Sequence, residues 1–197
     1  MMDNLIELAK QAYGQAYNRE TNIDFHIQAT KNLINGWKIN RFNLSNEEVL
    51  AIVMLEGFGY NLIQNAAFGN EYTTPFTDRL IELLDSALDK IPKTTQKVLY
   101  RQDSYYYDMP EIGQIIHIKG YWTTSIEDFD NTNDKKWIIT PLSPEKTKAH
   151  DIYKVYNHGD NCIYPEWQVE YERNSKFKVH QIVQHDTFVE IFVSECH

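Results

Sequence analysis

Hydrophobic and polar residues alternate strictly in the stretch from Glu166 to Glu172. The apolar positions are Trp167, Val169 and Tyr171, and the polar positions are Glu166, Gln168, Glu170 and Glu172. A period of two residues is typical of a β-strand with one buried and one polar face. The strand therefore carries three carboxylates and one carboxamide on one side of a sheet, as a solvated face or as the wall of a cleft.

The first 92 residues show helical spacing instead. Apolar residues recur three and four positions apart, and they predict helices over 3–17, 23–37, 60–68 and in the segments that follow Ser45 and Thr74. Ser45 with Glu48 three residues later is the signature of a capping box. Thr74-Pro75 places a proline at the first position of a helix, which Pro92 then ends.

Short β-type runs follow Pro92. They predict strands over 97–101, 112–118, 120–125, 137–139, 151–156, 167–172, 176–183 and 189–193. Helices followed by mostly hairpin-connected strands indicate an α+β fold. Neither an internal repeat nor a linker divides the chain, so we expect a single domain over 1–197, mainly helical over 1–92 and mainly β over 97–197.

Composition excludes several classes of protein. The chain has 197 residues, of which 42% are hydrophobic and 24% charged, as in an ordinary globular protein. A net charge of -9 makes nucleic acid a poor partner.

Two cysteines without C-x-x-C spacing indicate a reducing compartment, and no histidine pair has metal-ligand spacing, so we expect no metal. The acidic N-terminus does not resemble a signal peptide, and no run is long enough to cross a membrane. We therefore expect a soluble, cytoplasmic protein, or one that reaches a host cell without a cleavable signal.

Three polar segments occur in a recognisable order along the predicted strands. They are Tyr100-Arg101, Thr123-Thr124-Ser125 and the acidic strand at Glu166–Glu172. In this order they resemble the mono-ADP-ribosyltransferases of the Arg, Ser-Thr-Ser, Glu-x-Glu type, a group that includes many bacterial and phage toxins. Ser175-Lys176-Phe177-Lys178-Val179 is also similar to the family's Thr-Lys-Phe-Lys/Arg-Val strand. The resemblance covers most of residues 46–195.

The resemblance implies both a fold and a reaction. The implied fold has N-terminal helices packed on a mixed, mostly antiparallel two-sheet β core. The implied reaction cleaves NAD and transfers ADP-ribose to an acceptor protein. The residues implied in NAD binding are Tyr100, Arg101, Thr123, Thr124 and Ser125. Among them, Arg101 suits the pyrophosphate because its guanidinium matches phosphate oxygens, and Thr123 would orient the catalytic side chain.

Two alignments of the acidic strand with the family's catalytic pair are open. Counting back from Phe177 places the pair at Glu166 and Gln168, and the spacing favours this alignment. A shift by two residues places the pair at Gln168 and Glu170, as in Gln-x-Glu members that modify Asn, but it requires a shorter turn. Chemistry favours the second alignment, because only a carboxylate offers a full negative charge to the ribose. The first alignment motivates an alternative function, a catalytically impaired module that binds NAD or a protein.

A third hypothesis is a glycoside-cleaving enzyme that uses two carboxylates of the same strand. Glu166 and Glu170 would lie about 13 Å apart along a strand, which exceeds the separations that such enzymes use. A closer pair, such as Glu170 and Glu172, stays open.

Overall fold

The computed structural model describes residues 2–36, 42–69, 73–103, 109–128, 134–155 and 167–197. They divide into two compact units, one with the helices up to Ile91 and one with Pro92–Tyr153 and the strands nearest the C-terminus. Five α-helices and eight strands in these residues confirm the α+β class. The single-domain organisation stays a prediction. Within the described ranges, no helix has the length and apolar content that a bilayer crossing requires.

The helical unit follows the predicted pattern closely. Its helices are α1 (Met2–Tyr13), α2 (Ile23–Gly36), α3 (Asn46–Leu55), α4 (Tyr60–Ala67) and α5 (Pro75–Leu88). The first helix ends four residues earlier than predicted, because Gly14 adopts a left-handed conformation with φ of 49°. The capping box is confirmed, since the Ser45 and Glu48 side chains each accept a hydrogen bond from the other's backbone N–H. Thr74 caps α5, and Pro75 is its first residue.

Glu48 also joins the start of α3 to the end of α5. Its Oε1 atom accepts hydrogen bonds from Ser86 Oγ at 2.6 Å and from Lys90 Nζ at 2.5 Å. The Glu48 side chain is buried, and the residues from Val49 to Leu55 that follow it are buried as well. One carboxylate therefore caps a helix and ties it to a second helix.

The second unit is built from eight strands. They are β1 (Leu99–Asp103), β2 (Ile115–Ile118), β3 (Trp122–Ser125), β4 (Lys135–Thr140), β5 (Ala149–His150), β6 (Gln168–Tyr171), β7 (Ser175–Gln184) and β8 (Val189–Cys196). Their order is β2-β7-β8-β4-β1-β3-β6-β5. Among these strands only β4 and β8 pair in parallel, so the mixed, mostly antiparallel character is confirmed. The expected two sheets are linked into one, because Tyr100 on β1 pairs with Ser125 on β3.

Aromatic side chains form the core of the sheet unit. Trp122, Tyr171 and Phe177 pack together, with the Trp122 and Phe177 rings 4.4 Å apart and the Tyr171 and Phe177 rings 4.9 Å apart. All three side chains are buried. Because neighbouring residues of a strand point to opposite faces, the residues beside them, Thr123 and Glu170, lie on the face away from this core.

The strand predicted over 151–156 is wrong. The sheet contains only Ala149–His150 here, and a 3-10 turn follows at Ile152–Lys154. The backbone N–H of Asp151 donates to the Pro92 carbonyl, and no strand pairing continues beyond it among the described residues. Ile152 and Val155 are both fully buried. A helical turn brings residues three apart to the same side, whereas a strand would point them to opposite sides.

Candidate active site

The predicted hydroxyl and acidic segments meet on adjacent strands. Strands β3 and β6 are antiparallel, with Thr123 opposite Glu170 and Ser125 opposite Gln168. Residues directly opposite each other in an antiparallel pair place their side chains on the same face. Four of the predicted site residues therefore share one patch of the sheet.

A hydrogen bond joins the two central residues of this patch. The Thr123 hydroxyl donates to Glu170 Oε2 at 2.7 Å. Glu170 is fully buried, and no described donor lies within hydrogen-bonding distance of its other oxygen, Oε1. A buried carboxyl oxygen without a hydrogen-bond partner is costly, and a ligand hydroxyl placed there would satisfy it.

Burial changes the acidity of this carboxyl group. It raises the pKa of Glu170 to about 8, although the Thr123 hydrogen bond and the positive charge of Arg101 act in the opposite direction. At neutral pH most Glu170 side chains are therefore protonated. Strongly perturbed carboxyl groups beside a specific charge are typical of functional sites.

Arg101, on β1, contacts the backbone of β3 beside this patch. Its Nη1 atom donates to the Thr123 carbonyl at 2.7 Å. Its Nε and Nη2 atoms donate to Asp103 Oδ1 at 3.0 Å and 2.7 Å. The guanidinium therefore contacts the backbone of the residue whose hydroxyl holds Glu170, and the structure brings Arg101, Thr123 and Glu170 together.

The other predicted residues have different surroundings. The Thr124 hydroxyl donates to the Val169 carbonyl at 2.7 Å, which joins β3 to β6. The Ser125 hydroxyl accepts from the backbone N–H of Glu127 at 3.0 Å. The Tyr100 ring is half-buried, with Lys136 Nζ 5.7 Å from its centre. Glu166, the first residue of the alternative pair, lies outside the described residues.

The acidic strand is not a solvated face at Gln168 and Glu170. Gln168 is 8% exposed and Glu170 is fully buried. Strand β6 lies between β3 and β5, so it is also not an edge strand. The cleft-wall interpretation of the alternating pattern therefore fits these two residues.

Glu172 has the opposite environment from Glu170, although it lies only two positions further along the chain. Burial by itself would raise the pKa of Glu172, but hydrogen bonds from His150 and Lys93 lower it to about 2. His150 Nε2 lies 2.8 Å from Glu172 Oε1, and Lys93 Nζ is bonded to the same oxygen. Glu172 is therefore ionised and ion-paired, whereas Glu170 is the carboxyl group with an oxygen left for a ligand.

The sequence interpretation missed two residues around Arg101. Asp103 binds the guanidinium, and the Trp137 indole N–H donates to Asp103 Oδ2 at 2.9 Å. The spacing of two between Arg101 and Asp103 on a strand was a usable signal, since it places both on one face. Trp137 gave no such signal, because only the pairing of β1 with β4 makes it a cross-strand neighbour of Arg101.

Comparison with solved structures identifies the fold. The C3 exoenzyme of Clostridium limosum matches with a TM-score of 0.66 and 15% identity, over 89% of this chain and 95% of that one. Exoenzyme S of Pseudomonas aeruginosa, in complex with human 14-3-3 protein beta and bound to carba-NAD, gives 0.64 and 14%, over 99% and 88%. The ADP-ribosyltransferase Vis of Vibrio splendidus gives 0.60 and 16%, over 95% and 91%. The chain therefore has the ADP-ribosyltransferase fold. No protein-family model and no curated protein matches the sequence.

Proposed function

We propose that this chain is a mono-ADP-ribosyltransferase, which cleaves the nicotinamide–ribose bond of NAD and transfers ADP-ribose to a protein side chain. The observation that carries the proposal is the hydrogen bond from Thr123 to Glu170, which holds one carboxyl oxygen and leaves the other for a ligand. The fold supports the proposal, and so does exoenzyme S, a protein of the same fold bound to the NAD analogue carba-NAD.

The reaction places a clear demand on Glu170. The bond between the ribose C1′ and nicotinamide breaks with its electron pair going to nicotinamide, so positive charge builds on the ribose. The acceptor then gives a lone pair to C1′ and loses a proton. A carboxylate bonded to a ribose hydroxyl stabilises the transition state more than the ground state. One preorganised contact of this kind contributes about 3 to 4 kcal/mol.

The raised pKa of Glu170 couples this chemistry to NAD binding. The nicotinamide ring of NAD is a cation, and an opposite charge within about 4 to 6 Å favours the ionised form of a carboxyl group. NAD therefore converts a protonated Glu170 to the carboxylate that the reaction uses, and a proton is released on binding. Without NAD, Glu170 keeps its proton, so the buried site does not carry an additional negative charge.

Gln168 takes the first position of the proposed Gln-x-Glu pair, and Glu170 takes the second. It lies two residues before Glu170 on β6, about 6.6 Å away along the strand and on the same face. Its carboxamide is the group that we assign to the acceptor side chain. This assignment uses the second alignment, with Gln168 and Glu170 as the Gln-x-Glu pair and Arg101 on the pyrophosphate side.

A second candidate function is an NAD-binding module without catalysis. The observation that favours it is the complete burial of Glu170, because burial raises the pKa of this carboxyl group and a protonated carboxyl group gives no charge to the transition state. The two candidates differ in one respect. A module binds NAD and leaves it intact, whereas the transferase releases nicotinamide.

Labelled NAD tests the proposal directly. The purified chain is incubated with adenylate-labelled NAD and cell lysate, and transfer to protein and nicotinamide release are both measured. Glu170→Gln is the variant that we expect to be inactive. Glu172→Gln is its matched control, since the control variant makes the same chemical change two positions along the chain. We expect activity in the wild type and the control. Binding without transfer or release would favour the module, and the absence of all three would refute both candidates.

A further inference from the structure

We propose that Asp103 is a positioning residue, which fixes the guanidinium of Arg101 in the orientation that binds the pyrophosphate of NAD. This inference rests on the proposed function. It assigns a role to a carboxylate that does not itself contact the substrate, and it extends the site from Arg101, Thr123 and Glu170 to Asp103 on β1 and Trp137 on β4.

The geometry of the pair is bidentate. Asp103 Oδ1 accepts from Arg101 Nη2 at 2.7 Å, and both Asp103 oxygens lie 3.0 Å from Arg101 Nε. A carboxylate that faces the Nε edge of a guanidinium fixes the plane of the group as well as its position. The two side chains are only 15% and 10% exposed, so solvent screens the pair weakly.

Trp137 fixes the carboxylate in turn. Its indole N–H donates to Asp103 Oδ2 at 2.9 Å, and Trp137 is the backbone neighbour of Arg101 across β1 and β4. The indole packs against Trp122, with ring centres 5.5 Å apart. Asp103 is therefore held by a donor that belongs to the hydrophobic core.

The other side of the guanidinium contacts the backbone of β3. Arg101 Nη1 donates to the carbonyl of Thr123, whose hydroxyl holds Glu170. Asp103 thus holds one edge of the guanidinium while its other edge is bonded to β3. An arginine side chain loses substantial rotamer entropy when it is fixed, and Asp103 provides that fixation before NAD arrives.

The substitution Asp103→Asn separates this role from a purely structural one. Asparagine keeps the shape but replaces one acceptor oxygen with a donor, which faces the donors of Arg101. Since pyrophosphate binding is equal in the ground state and the transition state, its loss raises KM and leaves kcat unchanged. We expect KM for NAD, and Kd for carba-NAD, to rise about tenfold, with kcat within about threefold.

A double-mutant comparison tests whether Asp103 acts through Arg101. In an Arg101→Ala background, Asp103→Asn should add less than about twofold to KM, because the group that it positions is gone. Lys135 is the backbone neighbour of Asp103 on β4. Any effect of Asp103→Asn that acts through Lys135 would persist in the Arg101→Ala background, so the comparison distinguishes it from an effect through Arg101. Asp103→Glu, which restores the carboxylate, should recover part of the affinity.

The measurements are nicotinamide-release kinetics, carba-NAD calorimetry and thermal unfolding of each variant. Trp137→Phe provides a second variant, which keeps a ring and removes the indole donor, and it should raise Kd by about threefold. An unchanged Kd in folded Asp103→Asn or Trp137→Phe protein, a fall in kcat alone, or an undiminished effect in the Arg101→Ala background would overturn the inference. A wild-type chain that neither binds nor cleaves NAD would instead refute the proposed function.

Discussion

Thr123 and Glu170 lie directly opposite each other across β3 and β6, and the Thr123 hydroxyl binds a Glu170 oxygen at 2.7 Å. Gln168, the other residue considered for the catalytic position, lies opposite Ser125 instead. The Thr123 hydroxyl therefore binds the carboxyl group of Glu170 and not the carboxamide of Gln168. This relationship supports the second alignment of the acidic strand, and most of the predictions depend on it.

Glu170→Gln should lower kcat for nicotinamide release by about 10²- to 10³-fold, because the transition-state charge is lost while the shape is kept. Binding of carba-NAD should change by less than about threefold. Gln168→Glu should not restore activity to Glu170→Gln, since the hydroxyl opposite position 168 belongs to Ser125. Recovery in that double variant would indicate the first alignment.

The pH profile of kcat/KM should report the raised pKa of Glu170. Because the carboxylate is the active form, kcat/KM should rise about tenfold per pH unit below pH 8 and level off above it. Nicotinamide release measured from pH 6 to 9.5 tests this. A plateau that begins near pH 5 would contradict the burial of Glu170.

Thr123→Val should shift this profile upward in pH. The Thr123 hydrogen bond lowers the pKa of Glu170, so its removal raises the pKa further and reduces activity at pH 7. Thr123→Ser is the matched control, because it retains the hydroxyl and should keep the wild-type profile. An equal loss in both variants, without a shift in the profile, would indicate packing rather than acidity.

Glu170→Gln should also increase the free energy of unfolding at high pH. Since the folded pKa lies near 8 and the ordinary value is 4.5, unfolding releases a proton between these limits, and stability falls as pH rises. The difference between variant and wild type should grow from near zero below pH 4.5 to about 5 kcal/mol above pH 8. Urea unfolding at pH 5, 7 and 9 measures it, with exposed Glu127→Gln as the control.

Glu48→Ala should destabilise the helical unit by about 2 to 3 kcal/mol at neutral pH, because it removes half of the capping box of α3, one bond to Ser86 on α5 and one bond to Lys90 just beyond α5. Burial alone would raise the pKa of Glu48, but hydrogen bonds from Lys90, Ser86 and Ser45 give a net lowering. The stabilisation is therefore lost as pH falls below 4.5. Circular dichroism melts at several pH values test this. Glu82→Ala, on an exposed side chain, should change stability little.

Local patterns predicted most of the elements correctly, for physical reasons that are local. Ser45 and Glu48 form the expected capping box because both partners lie within one turn. Trp122, Tyr171 and Phe177 form part of the core because alternation assigns them to the buried face. The pattern failed over 151–156, where burial of Ile152 and Val155 favours a turn over a strand.

The Asp103–Trp137 contact depends on pairing across the sheet. Trp137 lies 34 residues from Asp103 along the chain, and the two meet because β1 pairs with β4. No local pattern specifies such a neighbour, so this part of the site could not be predicted from the sequence.

The sequence by itself determined which face of β6 each side chain occupies. It did not determine which polar residue faces Thr123, because a shift of two residues leaves an alternating pattern unchanged and only a shift of one inverts it. That choice depended on the pairing of β6 with β3. The connection from β6 to β7 takes only residues 172–174, with Asn174 in a left-handed conformation at φ of 61° and the Ser175 hydroxyl bonded to the Glu172 carbonyl. Tertiary pairing therefore placed Glu170, and not Gln168, beside Thr123 and Arg101.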